Sequence, residues 1–143
     1  MSVPDFREKI NSELREGRVL LEEKNYNRAI ACANQCGSVV FKAMTNEEGI
    51  SQELLFTDLK QVVFLLIEGF RRSQCGKCFV SSLNQLFHFL LEIRSNTLFP
   101  THIRQNCGDF INGLLELPEV SVVRQYLSQE MQSNKKYHLV LAS

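Results

Sequence analysis

Apolar residues recur along most of this chain three or four positions apart, the spacing that gathers them on one face of an α-helix. Phe6, Ile10, Leu14, Gly17 and Leu21 form such a stripe and predict a first helix from about Asp5 to Glu23. Ser2 and Asp5 have the spacing of a capping box, and Pro4 suits a first helical turn. Lys24-Asn25 interrupts the pattern, which resumes from Tyr26 to about Met44 with Ala29, Ala33, Cys36, Gly37 and Val40 inward. A two-residue break makes the two helices antiparallel neighbours. Their small side chains permit close approach, and Gly17 and Ala29 are each expected to pack against the other's helix.

Residues 45–50 are polar and contain Gly49, which marks a loop, and Ser51 is placed to cap a third helix reaching about Arg72. Leu55, Leu59, Val62, Val63, Leu66, Ile67 and Phe70 face inward there. Phe56, Phe64 and Leu65 widen the stripe, so this helix is predicted to be covered on two sides. After a break at 73–77, a fourth helix from about Cys78 to Ile93 buries Phe79, Leu83, Leu86, Phe87, Leu90 and Leu91. Pro100 opens a fifth helix with Ile103, Cys107, Phe110, Ile111 and Leu114 inward. Pro118 separates a sixth, about Glu119 to Met131, that buries Val120, Val123 and Leu127. The apolar segment from Tyr137 to Leu141 stops abruptly, as the start of a seventh helix or a short strand would in a truncated chain. The expected fold is all-α: antiparallel helical hairpins in an irregular α-α superhelix of about six to seven helices, one domain over residues 1–143.

Composition narrows the classes. Seven glycines and three prolines in 143 residues are too few for the turns of a β-sandwich. Sixteen basic residues balance sixteen acidic ones, so no long-range field draws the chain to nucleic acid. The longest apolar run, Val62 to Ile67, lies between Lys60 and Glu68 and is far too short to span a bilayer. The first residues lack the basic and apolar regions of a secretory signal. A cytoplasmic or nuclear protein is expected, or one held on the cytosolic face of an organelle by a partner or a missing segment. Five cysteines, an odd number without a signal, are then reduced thiols.

The first hairpin carries the sharpest local pattern. Gly17 is followed by Tyr26, Ala29 and Cys36: a small residue in the first helix, an aromatic at the turn and two small residues in the second. Over residues 10–41 this resembles the tetratricopeptide repeat, in which the small residues let the helices touch and the aromatic plugs the hairpin end. Glu16 departs from the family's leucine and Phe41 from its proline. A shift of 34 residues puts Ser51 at the glycine and Val63 at the alanine, so no second repeat follows in register. A generic helical hairpin predicts the same local structure.

A second resemblance concerns the order of features: a small-residue hairpin, a long apolar helix, an aliphatic helix, then a proline-led helix with a cysteine, Phe99-Pro100-Thr101-His102-Ile103-Arg104-Gln105-Asn106-Cys107. This order is similar to that of the peroxin-26 family of peroxisomal docking factors. That likeness implies a cytosolic scaffold for AAA ATPases with a C-terminal membrane anchor, and these 143 residues contain no stretch of the anchor's kind.

Cys75-Gly76-Lys77-Cys78 is the motif nearest to chemistry. A thioredoxin-like site needs a β-α-β setting, and no strands are legible. A structural zinc site needs four ligands, yet no second CxxC exists and the three histidines are scattered. A plain loop is the simplest reading; metal binding by Cys75 and Cys78 with distant His88 or His102 is the alternative. No phosphate loop or nucleophile elbow is present. Neither catalysis nor a cofactor is expected.

The function expected is a non-catalytic scaffold or adaptor that binds a peptide, helix or partner subunit in a helical groove. Phe56, Phe64 and Phe89 are the candidate rings, and Arg71, Arg72 and Lys77 the basic end that would steer an acidic partner. The alternative is a metal- or redox-responsive regulator using Cys75 and Cys78.

Overall fold

The computed structural model describes residues 3–46, 49–73 and 76–121, with side chains for 6–46, 49–73 and 79–121. The fold is all-α. Five helices follow one another, α1 (Val3–Glu22), α2 (Tyr26–Asn46), α3 (Gln52–Ser73), α4 (Gly76–Ser95) and α5 (Thr101–Leu115), and helical residues resume at 118–121. No strand occurs among the described residues. Val123 and Leu127, and the segment from Tyr137 to Leu141, lie outside them. The chain divides into two compact units, Met1–Ser82 and Leu83–Ser143, which part within α4.

In the first unit α1 and α2 form the expected hairpin, and backbone hydrogen bonds close the turn between them. The Lys24 N–H donates to Leu21 O (3.0 Å) and the Asn25 N–H to Leu20 O (2.8 Å), the paired bonds of a Schellman motif. Lys24 takes the left-handed conformation that this motif demands, with φ of 62°. Asn25 then accepts the first α2 hydrogen bond, from the Ala29 N–H at 3.1 Å, so one residue closes α1 and opens α2. Ser51 caps α3 as its position predicts: its Oγ accepts the Leu54 N–H at 3.4 Å and its carbonyl the Leu55 N–H at 3.0 Å.

α3 packs against both α1 and α2. Ile10, Ala33, Cys36, Val40, Leu55, Leu59, Val62, Val63 and Leu66 are wholly buried. Burying one such aliphatic side chain stabilises the fold by about 1.5–3 kcal/mol. Gly17 also meets α3. Its notch takes the side chain of Leu65 from α3, the nearest group to the position its missing Cβ would occupy. A second notch is Gly69 on α3, which admits Ile30 of α2 and Leu21 of α1. Phe70 stacks on Phe79, their centroids 4.1 Å apart.

In the second unit Leu83, Leu86, Leu90 and Ile93 of α4 are buried, as are Ile103, Cys107, Ile111 and Leu114 of α5. The intervening turn is closed by Asn96, whose Oδ1 accepts the Leu98 N–H (2.9 Å) and whose carbonyl accepts the Phe99 N–H (3.1 Å). Phe99 is buried and Leu98 projects. Pro100 is the N-cap of α5, its carbonyl bonded to the Arg104 N–H.

Candidate functional site

Between α1 and α3 an open groove follows from how the two helices meet. Leu14, Leu21 and Leu65 turn into the core, leaving the polar flanks of both helices to face each other across it. One hollow of about 380 Å³ is lined by residues that include Glu8, Asn11, Arg15, Arg18, Asp58 and Gln61. A second, of about 260 Å³, shares Arg18 and Gln61 and continues to Leu21, Phe64, Leu65 and Glu68. Arg18 Nη2 donates to Gln61 Oε1 at 3.2 Å where the two hollows join.

The groove's carboxylates on α3 are already engaged. Asp58, 5% exposed, pairs with Arg7 of α1. Burial pushes the Asp58 carboxyl above its ordinary pKa, and the Arg7 guanidinium opposes that rise. Glu68 is held by Arg71 (3.3 Å) and by Arg72 (3.1 Å), its neighbours one turn along α3. Arg15, in contrast, is exposed and makes no ion pair with a described residue.

Phe64 and Glu68 line one end of this groove, Phe64 is 50% exposed, and the two α3 arginines reach that end only through their pairing with Glu68. Phe56 is a correction: at 3% exposure it belongs to the core, with the Lys60 ammonium 5.2 Å from its ring centre. Phe89 belongs to the second unit and is partly exposed. The side chain of Lys77 lies outside the described residues. Arg15, Arg18 and Gln61 escaped the sequence reading. They stand on the polar faces of amphipathic helices, where nothing in their spacing separates a groove wall from a solvated face.

The hairpin residues differ in exposure. Ala29 and Cys36 are enclosed, Gly17 is buried, and Tyr26 is partly exposed at the turn. Cys36 and Cys107 are inaccessible, and burial pushes both thiols up to about 12, which Glu13 reinforces at Cys36. Cys107 Sγ donates to Leu90 O at 3.1 Å. Cys32, also raised by burial, donates to Glu13 O at 3.2 Å. The side chains of Cys75 and Cys78 lie outside the described residues. Among the described residues no group of three metal-ligating side chains gathers, and no helix is long and apolar enough to cross a membrane. No protein-family model, curated protein or solved structure matches this chain.

Proposed function

We propose that this chain is a non-catalytic protein-interaction module and that the α1–α3 groove is its binding face. The half-exposed ring of Phe64 at the edge of that groove carries the reading. An aromatic that leaves half its surface in water beside an open hollow gains free energy when a partner covers it. The packing of α3 on both members of the preceding hairpin supports it, since stacked helical hairpins offer grooves of this kind to peptides and helices.

A photo-crosslinking amino acid in place of Phe64 tests this reading in cells. The expected result is one recurrent partner polypeptide joined at position 64 and absent when the label stands at Leu98, the exposed leucine of the second unit. That partner, once purified, should bind the chain and lose affinity for Phe64→Ser while the melting temperature stays within a few degrees. Absence of a position-specific adduct would refute the binding face.

A further inference from the structure

The two hollows between α1 and α3 adjoin, because Arg18 and Gln61 line both, and the Arg18–Gln61 hydrogen bond bridges the two walls between them. From Glu8 to Leu21 the α1 wall spans fourteen residues, about 20 Å over the thirteen helical rises of 1.5 Å between them. That length suits about three and a half turns of a bound helix. Chemistry changes along the groove. At the α1 C-terminal end the half-exposed ring of Phe64 supplies apolar surface beside the buried Leu21 and Leu65. Towards the α1 N-terminus the wall becomes Arg18, then Arg15 and Asn11.

The charge balance decides what fits. Asp58 and Glu68, the α3 carboxylates of the groove, are matched by Arg7 and by the Arg71 and Arg72 pair. Glu8 stands at the far end, and Glu22 lies on α1 one turn beyond Arg18. Between those two ends Arg15 and Arg18 present guanidiniums three residues apart, hence on the same side of α1. Arg18 uses one nitrogen on a neutral amide oxygen, and Arg15 is without an ionic partner among the described residues. A carboxylate docked there gains charge-assisted hydrogen bonds, and a basic segment would meet like charge.

We infer that the groove receives an acidic amphipathic segment of a partner protein, with an apolar side chain on Phe64 and its carboxylates on Arg15 and Arg18. This rests on the groove being the binding face, and it adds the chemistry of the occupant.

Random twelve-residue peptides displayed on phage and selected on the full chain test it. Enrichment of sequences pairing Asp or Glu with one or two Leu, Phe or Met residues is expected. Synthetic versions should bind Arg15→Glu/Arg18→Glu at least tenfold more weakly than the parent, bind Arg15→Gln/Arg18→Gln with intermediate affinity, and weaken as salt rises. Phe64→Ser should also weaken them. All these positions are exposed, and unchanged circular dichroism verifies that each variant folds. Peptides that depend on Phe64 but lack acidic residues, or bind the arginine variants equally well, overturn the acidic occupant and leave the groove as the binding face. Failure to recover any Phe64-dependent peptide overturns both. A concentration-dependent dimer abolished by Phe64→Ser would instead make a second copy of this chain the occupant, and also overturns the inference.

Discussion

Leu65 of α3 fills the notch left by Gly17 of α1 so closely that a Cβ on Gly17 would stand 2.5 Å from its Cδ2. The glycine is required by a neighbouring helix and not by its own backbone. Gly17→Ala gains about 1 kcal/mol of helix propensity, yet it pushes on a buried leucine, and overpacking costs about 1–3 kcal/mol. A net loss of stability is expected in urea unfolding. In a Leu65→Ala background the obstruction is gone, and the same Gly17→Ala change should become stabilising. Equal effects in the two backgrounds would rule out the contact as the reason for glycine.

Lys24 holds a left-handed conformation that an L side chain adopts at a cost of about 1–2 kcal/mol. The Schellman bonds from Lys24 and Asn25 back to Leu21 and Leu20 keep it there. Lys24→Gly relieves the strain at an exposed position and loses some unfolded-state entropy advantage. A gain of up to about 1 kcal/mol is predicted, read as a higher denaturation midpoint with an unchanged slope. A lower midpoint would contradict it.

The Arg7–Asp58 pair joins α1 to α3 at a buried carboxyl whose pKa burial raises. A raised carboxyl pKa means the folded state holds its proton more tightly than the unfolded state does. The stability this confers is fully present below the ordinary carboxyl pKa and is lost as pH rises through the folded value. Acidification should not weaken the fold through Asp58. Arg7→Met strands the carboxylate and is expected to cost about 1–3 kcal/mol at pH 7, and less as the pH falls and the acid takes up a proton. Asp58→Asn removes the buried charge and should stay within about 1 kcal/mol of the parent at pH 7. The comparison needs only thermal melts at two pH values; an Arg7→Met defect that grows on acidification would reverse the assigned direction.

Cys36 and Cys107 are held protonated to about pH 12, against 9.0 for an ordinary thiol. Raised thiols contribute stability that is complete below pH 9 and lost as pH climbs towards 12. Each thiol should contribute a slope of about 1.4 kcal/mol per pH unit across that range. Cys36→Ala and Cys107→Ala are each expected to flatten the alkaline fall in stability. Peptide mapping after alkylation of the native protein at pH 8 should find neither residue modified. Rapid labelling of either would show that its burial is not maintained in solution.

Much of this architecture is local and therefore legible. Helix positions follow from apolar spacing, the α1–α2 break from Lys24-Asn25, and the α3 start from Ser51, because each depends on residues within one or two turns. Burial of Ala29, Cys36, Phe79 and Cys107 follows from the same periodicity, which fixes the phase of each apolar face.

Tertiary structure decided what covers each face. Phe56 and Phe64 both widen the α3 stripe, eight residues and so about 80° apart around the helix. One is buried and the other half exposed, because packing covers the ring of Phe56 and leaves Phe64 at the rim of an open groove. The small residue at Gly17 was visible, but its partner Leu65 lies 48 positions away in sequence. Arg15 and Arg18 became a groove wall only when α3 was laid alongside α1. Sequence by itself determined the helices and their inward faces, since those depend on neighbours along the chain. Only packing between distant segments could determine which polar faces frame a groove, since periodicity carries no record of the helix opposite.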